Sequence, residues 1–255
     1  MPNTSPIAIV LAAGKGTRMN SDLPKVLHEA ADKTLLTWVL DALRDAGCHD
    51  QIVVVGFGGE KVRTHIGARP GVQFAVQQKQ LGTGDAVRAA APLINSTLAT
   101  GARSRPVVIV CGDSPLLRPS SIRRLLEAFQ STGAACLLGT AITDDPTGLG
   151  RIVRDINKQF VCITEEKDAT ESEKLIQEVN MSTYVFAADQ LLKALEQINT
   201  DNAAGEYYLT DCPKVLLDAG EKVDAVACLD PSESLSVNTP QQLQAVAEAL
   251  QAIHK

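Results

Sequence analysis

Three observations predict an α/β fold with a doubly wound, mostly parallel sheet of mixed type. Short apolar runs alternate with segments of helical periodicity through the first half of the chain. The apolar runs are continuous, as in strands that are buried on both faces. Loops that contain glycine or aspartate follow two of these runs, at the sheet edge where doubly wound folds bind their ligands.

The first half of the chain supplies the predicted strands and helices in strict alternation. Residues 7–13 (IAIVLAA) form the first predicted strand. A helix over residues 34–46 follows, because its apolar residues fall on one face and Gly47 is a suitable stop. The next expected elements are strands at 51–57 and 72–77, a helix at 84–94, a strand at 105–113, a helix at 119–133 and a strand at 134–142.

The rhythm changes after about residue 143. Residues 144–155 and 158–168 predict a hairpin-like excursion around Gly148 and Gly150. The remaining sequence shows neither a low-complexity linker nor an internal repeat, so we expect one domain over residues 1–255. Its last elements are predicted as a strand at 178–188, helices at 188–198 and 207–220, a strand at 223–229 and a closing amphipathic helix.

Composition excludes several classes of function. The net charge of −6 and the aromatic content of 4% argue against nucleic-acid binding. No stretch resembles a secretory signal or a membrane span. The six cysteines contain no C-x-x-C pair, so zinc-site spacing is absent. We therefore expect a cytoplasmic protein that binds neither membranes nor nucleic acid.

The segment LAAGKGTRM, residues 11–19, resembles a phosphate-binding loop. It lacks the G-x-x-x-x-G-K-[ST] spacing of a P-loop, and Met19 stands where a dinucleotide fingerprint requires its third glycine. Both interpretations fail. Two glycines can still turn their amides toward an anion, and Lys15, Arg18 and Lys25 add three cations. The alternative is a tight turn with solvated basic side chains.

The longer segment LAAGKGTRMNSDLPKVLH resembles the signature of sugar-1-phosphate nucleotidyltransferases. It is most similar to the uridylyltransferase domain of the bacterial bifunctional enzymes that make UDP-N-acetylglucosamine. Further blocks follow in family order over roughly residues 6–250, and several together are hard to explain by chance. These blocks are QLGTGDA, GDSPLL, DDPTGLGRIV, EEKDAT, QEVN, AAGEYYLTD and VNTPQQL.

The resemblance implies a Rossmann-like fold of the nucleotide-diphospho-sugar transferase type. It assigns residues up to about 117 to nucleotide binding, and residues from about 118 to a small sugar-binding β excursion and the closing helix. The implied site comprises Arg18 and Lys25 as catalytic residues; Leu11, Ala12, Gly14, Gln77, Gly82 and Thr83 for the nucleotide; Gly150, Glu165, Asn180 and Tyr207 for the sugar; and Asp113 and Asn238 for Mg²⁺.

Taken without the resemblance, several of these residues have ordinary structural interpretations. Asp113 sits in a Gly-Asp-Ser-Pro turn, and Asn238 precedes Thr-Pro at a helix start. Asp85 is suited to cap the helix that begins in QLGTGDA, and Glu165 lies in a charged run. Only the family pattern links Asp113 and Asn238 as ligands of one metal ion.

The implied activity is that of a UDP-N-acetylglucosamine pyrophosphorylase, with UTP and a sugar-1-phosphate as substrates. Two alternatives stay open: another sugar-1-phosphate, such as glucose-1-phosphate, or a non-catalytic nucleotide-sugar sensor. Four residues depart from the family pattern on the sugar side and near the metal loop: Cys111 stands where tyrosine is typical, Met181 and Ser182 stand where the family has threonine and glycine, and Ser236 stands where it has glycine. No hexapeptide period is present, so we expect no left-handed β-helix acetyltransferase domain, and the oligomeric state stays open.

Overall fold

A computed structural model describes residues 5–98 and 105–253. Its strands are β1 (Ile7–Ala12), β2 (Glu29–Ala30), β3 (Lys33–Thr34), β4 (Asp50–Val55), β5 (Val72–Val76), β6 (Pro106–Cys111), β7 (Cys136–Ile142), β8 (Arg151–Arg154), β9 (Phe160–Thr164), β10 (Glu178–Ala187) and β11 (Val223–Ala227). Its helices are α1 (Leu35–Asp45), α2 (Gly59–Ile66), α3 (Thr83–Leu98), α4 (Pro119–Thr132), α5 (Ala188–Gln197), α6 (Cys212–Asp218) and α7 (Pro240–Ile253).

The main sheet confirms the predicted mixed, mostly parallel architecture. Within the described ranges its strands run in the order β11-β7-β10-β6-β1-β4-β5, and β8 and β9 extend it beside β10. β10 is antiparallel to both of its neighbours, β6 and β7, whereas the other pairs along this path are parallel. The residues at the start of β10 therefore lie at the same sheet edge as the ends of β6 and β7.

Helices cover both faces of the sheet. In β1 the alternate residues Ile7 and Ile9 face α3, α5 and α6, while Ala8 and Val10 face α1 and α4. These strand residues are almost fully buried, as the continuous apolar run predicts. A third cluster packs α7 against Met19 and Leu35, next to the glycine-rich segment.

Local sequence explains where several helices begin and end. The Thr34 hydroxyl accepts a hydrogen bond from the Thr37 N–H and caps α1. α4 starts at Pro119 and ends at Thr132, and the capping residue Gly133 has a φ of 62°, the left-handed conformation that favours glycine. Both helices lie close to their predicted ranges.

The structure corrects four details of the sequence interpretation. The excursion is a hairpin of β8 and β9, but it turns at residues 155–159 and not around Gly148 and Gly150. The helix predicted at 207–220 is shorter, because only Cys212–Asp218 is α-helical. The sequence analysis omitted α2, whose mean hydropathy is low, and the small β2–β3 hairpin. None of the helices in the described ranges is long and apolar enough to cross a membrane.

Candidate active site

The glycine-rich loop follows β1 and brings Lys25 close to its own backbone. Gly16 adopts a φ of 62°, and a Cβ atom at this position would lie 2.7 Å from the Cβ of Lys25. A side chain here would therefore push Lys25 away. Arg18, in the short helical turn after the loop, is exposed to solvent, whereas Met19 is buried under α7.

A cleft of about 270 Å³ opens at the carboxyl ends of β1, β5 and β6. All of the predicted nucleotide-binding residues line it, together with Lys25 and Asp113. Cys111, one of the four departures from the family pattern, also lines the cleft, and the sequence analysis did not single out the lining residues Gln80 and Glu206. The predicted nucleotide-binding residues on the lining are Leu11, Ala12, Gly14, Gln77, Gly82 and Thr83.

Main-chain hydrogen bonds hold the QLGTGDA segment against residues 207–209. The Tyr207 N–H donates to the Leu81 carbonyl over 2.8 Å, and its carbonyl accepts from the Gly84 N–H over 2.8 Å. The Thr83 hydroxyl accepts from the Leu209 N–H over 3.0 Å. These bonds fix one wall of the cleft. They bring the backbone at Tyr207 so close to Gly82 that a side chain at this position would overlap with it.

Tyr207 itself is placed differently from the other predicted sugar-binding residues. Its ring lies 4.2 Å from the Arg88 guanidinium, and its backbone belongs to the wall just described. The neighbouring Glu206 lines the cleft. The structure thus gives Tyr207 a contact that supports the wall, and its predicted role toward a sugar stays a prediction.

Lys25 joins the two predicted metal ligands. Its ammonium forms an ion pair with the Asp113 carboxylate and donates to Asn238 Oδ1 over 2.9 Å. The Val237 N–H donates to the Asp113 carbonyl over 3.1 Å, which fixes the two segments relative to each other. Three residues from distant parts of the chain therefore meet, and two of them, Lys25 and Asp113, line the cleft.

The donor set around Lys25 fits a magnesium ion. Asp113 and Asn238 offer a carboxylate and an amide oxygen that already converge on one cation. Within the described residues no group of three or more His, Cys, Asp or Glu side chains is arranged for a metal. Mg²⁺ needs no such group, because it is usually held by one or two carboxylates plus water and substrate phosphates.

A second cavity of about 170 Å³ adjoins the first, and Cys111 and Asp113 line both. The predicted sugar residue Asn180 lies on its wall and is 5% exposed. The Asn180 N–H donates to the Gly150 carbonyl over 2.8 Å, so two of the predicted sugar residues are neighbours. All four departures from the family pattern line this cavity: Cys111, Met181, Ser182 and Ser236.

The departing residues have specific contacts. Ser182 has a φ of 49°, in a bulge of β10 between Asn180 and Thr183, where the family pattern has glycine. The Ser236 hydroxyl accepts from Asn238 Nδ2 over 3.2 Å and so helps to orient a predicted metal ligand. Burial, with a smaller effect of the Asp113 charge, raises the pKa of the Cys111 thiol to about 12. Cys111 is therefore neutral at physiological pH.

Three acidic residues, Glu165, Asp168 and Asp211, lie close to one another. Glu165 accepts a hydrogen bond from the Thr210 hydroxyl over 2.9 Å. Burial raises the pKa of Glu165, and the charge of Asp168 acts in the same direction. Burial also raises the pKa of Asp211 to about 6, with Glu165 and Asp168 contributing. The sequence analysis singled out Glu165 but not Asp211.

The mostly parallel sheet has a glycine-rich loop and the Lys25 ammonium at its carboxyl edge, where α/β domains bind their ligands, and the matching family model identifies the class as nucleotidyltransferases. Within that class, the chain belongs to the MobA-like NTP transferase domain family, whose profile matches residues 8–211. The match covers both the glycine-rich loop and the wall at Tyr207.

Curated relatives share the whole domain. The chain is 46% identical over 243 residues to the bifunctional protein GlmU of Heliobacterium modesticaldum. The aligned region covers 95% of this chain and 51% of the relative. The protein of the same name from Lactococcus lactis subsp. lactis is 45% identical over 233 residues, 91% of this chain and 49% of the relative. The chain thus spans about half the length of the curated relatives it matches.

Solved structures share the fold. A UDP-glucose pyrophosphorylase in complex with UDP-glucose superposes with a TM-score of 0.73 at 15% identity, covering 98% of this chain and 99% of the other. A putative glucose-1-phosphate thymidylyltransferase from Bacillus anthracis, in complex with sucrose, gives a TM-score of 0.74 at 17% identity, covering 96% and 95%. At these identities the likeness establishes the architecture alone.

The close contact at Gly82 generates a stability prediction. Gly82 has a φ of 115°, and a Cβ atom there would lie 2.5 Å from the Tyr207 carbonyl oxygen. We expect Gly82→Ala to lower the free energy of unfolding in urea by about 3 kcal/mol or more, because steric overlap adds to backbone strain. Gly148→Ala is the matched control, since Gly148 also has a positive φ but nothing within 4 Å of its Cβ position. Equal losses in the two variants would contradict the tight contact.

The raised pKa of Asp211 predicts a pH dependence of stability. The folded chain holds the Asp211 proton more tightly than the unfolded chain, in which the pKa of this carboxyl is near 3.8. The stability that the protonated carboxyl contributes is therefore complete below pH 3.8 and is lost as the pH rises through about 6. Asn cannot ionise. Asp211→Asn should therefore be more stable than the parent protein at a pH well above 6 and similar to it near 3.8. Urea unfolding at both pH values measures this, with the exposed Asp201→Asn as control. A stability difference that does not vary with pH would contradict the assignment.

Proposed function

We propose that this domain transfers a uridylyl group from UTP to N-acetylglucosamine-1-phosphate and releases pyrophosphate, with Mg²⁺ as its cofactor. The convergence of Lys25, Asp113 and Asn238 where two cavities meet carries this proposal. One cavity has the predicted nucleotide-binding lining, and the other has the predicted sugar-binding residue Asn180. Transfer of a phosphate-linked group from a nucleotide to a sugar phosphate requires positive charge and metal-binding oxygens at the point where the two ligands meet.

The relatives support the proposal. Identity of 46% over nearly the whole chain to bifunctional GlmU proteins is high enough to expect related chemistry in this domain. The proposal assigns about residues 1–117 to the nucleotide and the remainder to the sugar and the closing helix. It also places the reaction in the cytoplasm, where UTP is available.

The reaction needs positioning and charge rather than an enzymatic nucleophile. The sugar phosphate is already an anion at neutral pH, so its oxygen can attack the α-phosphate of UTP directly while pyrophosphate leaves. Lys25 would stabilise the transferring phosphate, and the exposed Arg18 would hold the outer phosphates. The amides of the glycine-rich loop add partial positive charge.

Asp113 and Asn238 would hold the magnesium ion through one oxygen each. Bound there, the ion would neutralise charge on the phosphates in the same way as other metal ions in phosphoryl transfer. Lys25 contacts both of these oxygens and would lie beside the phosphates of the bound substrates.

A second candidate keeps the chemistry and changes the acceptor, for example to glucose-1-phosphate. The observation that favours it is that all four departures from the family pattern line the second cavity. Cys111 is smaller than the tyrosine of the family pattern, and Ser182 adds a side chain where that pattern has none. The residues of this chain therefore define the sugar phosphate less narrowly than they define the nucleotide.

Pyrophosphate release with magnesium, measured across a grid of nucleoside triphosphates and sugar-1-phosphates, tests the proposal. We expect the highest kcat/KM for UTP with N-acetylglucosamine-1-phosphate, and loss of activity when the metal is chelated. A preference for glucose-1-phosphate would favour the second candidate. No release with any pair would overturn both and leave a nucleotide-sugar sensor as the function.

Removing the Asp113 carboxylate tests the metal assignment. We expect Asp113→Ala to lower kcat by about 10²-fold or more, since it removes charge positioned at the reacting phosphates. Binding of Mn²⁺, followed by titration, should weaken in the same variant, while the circular dichroism spectrum stays unchanged. Asp218→Ala is the matched control, because Asp218 also pairs with a lysine, Lys214, but on the exposed face of α6. Loss of folding in Asp113→Ala would instead make Asp113 a structural residue.

A further inference from the structure

We infer that Asp85 is a positioning residue that fixes the orientation of the Gln77 side-chain amide and thereby sets a preference for uracil over cytosine. The inference rests on the proposed function and names the part of that site that selects the base. Gln77 follows β5, lines the nucleotide cleft and is only 5% exposed. Asp85 lies in the first turn of α3.

The hydrogen bonds of Gln77 leave one arrangement for its amide. Its Nε2 donates to the Gly82 carbonyl over 3.1 Å and to Asp85 Oδ2 over 2.8 Å. A carbonyl and a carboxylate oxygen accept hydrogen bonds, so the amino end of the amide must face them. Both hydrogens on Nε2 are used, and within the described residues Oε1 has no hydrogen-bond donor.

An amide held in this way can only accept at its free end. Uracil carries an N3–H donor on its pairing edge, and cytosine carries a bare N3 acceptor at the same position. Gln77 Oε1 would accept from uracil and face cytosine acceptor to acceptor. A polar site that is held rigid rejects the wrong partner because neither group can turn to satisfy the other.

Asp85 contributes the stronger of the two constraints. Its hydrogen bond to Gln77 is the shorter one and involves a carboxylate, which accepts more strongly than a neutral carbonyl. The Gly82 carbonyl also accepts the Ala86 N–H over 3.1 Å as part of the start of α3. Without Asp85, Gln77 would keep one shared contact and gain freedom to rotate.

Binding of UTP and CTP, measured by calorimetry without a sugar phosphate, tests this inference independently of turnover. We expect the parent protein to prefer UTP, and Asp85→Ala to reduce the ratio of UTP to CTP affinity by about tenfold, the worth of one charge-assisted hydrogen bond. Asp85→Asn keeps an acceptor oxygen and should retain most of the preference. Asp189→Ala, which removes an aspartate from the first turn of α5, should leave the ratio unchanged.

The possible outcomes separate the two claims. If the parent protein releases no pyrophosphate with any substrate pair but loses its UTP preference in Asp85→Ala, the proposed function fails and the role of Asp85 stands. If Asp85→Ala weakens both nucleotides equally, or lowers only the melting temperature, Asp85 merely stabilises α3 and the inference is overturned. A parent protein without any preference between UTP and CTP would overturn it as well.

Discussion

One lysine ammonium ties together three segments that are far apart in the chain. Lys25 contacts Asp113, 88 residues away, and Asn238, 213 residues away. Asp113 follows β6 and Asn238 precedes α7, so the contact forms only when β1, β6 and the start of α7 have their final arrangement. This contact of Lys25 positions the proposed metal ligands between the two cavities and fixes the segment that precedes α7.

The electrostatics around that point are uneven. The chain carries a net charge of −6, yet the proposed phosphate site consists of loop amides and two basic side chains, Arg18 and Lys25. Elsewhere in the chain, Glu165, Asp168 and Asp211 lie close together, and burial and the charge of neighbouring carboxylates raise the pKa of Glu165 and Asp211. Cations gather where phosphates are expected, and oxygen acceptors gather where hydroxyl groups are expected.

The sequence predicted most of the fold because buried parallel strands leave strong, continuous apolar runs, and β1 and β6 are examples. The resemblance to a known family also named residues that the structure brings to one cleft, Gly14 and Gln77 among them, and their roles toward a nucleotide stay predictions. The sequence did not predict that Asp85 contacts Gln77 or that Asp211 loses solvent. The contact of Asp85 and the burial of Asp211 both arise from tertiary packing, whereas the local sequence around each residue indicates only the start of a helix. The Tyr207 contact with Arg88 was missed for the same reason.

The antiparallel direction of β10 has a consequence for how such a domain can change over evolutionary time. Because β10 enters the sheet from the crevice edge, everything between β7 and β10 is an appendage that begins and ends at the same place. Its buried anchor is Arg151, which pairs with Glu166 over 2.8 Å. Insertions and substitutions there leave the pairing register of β1, β4 and β6 untouched. The proposed sugar side can therefore change in sequence while the strands of the proposed nucleotide side keep their pairing.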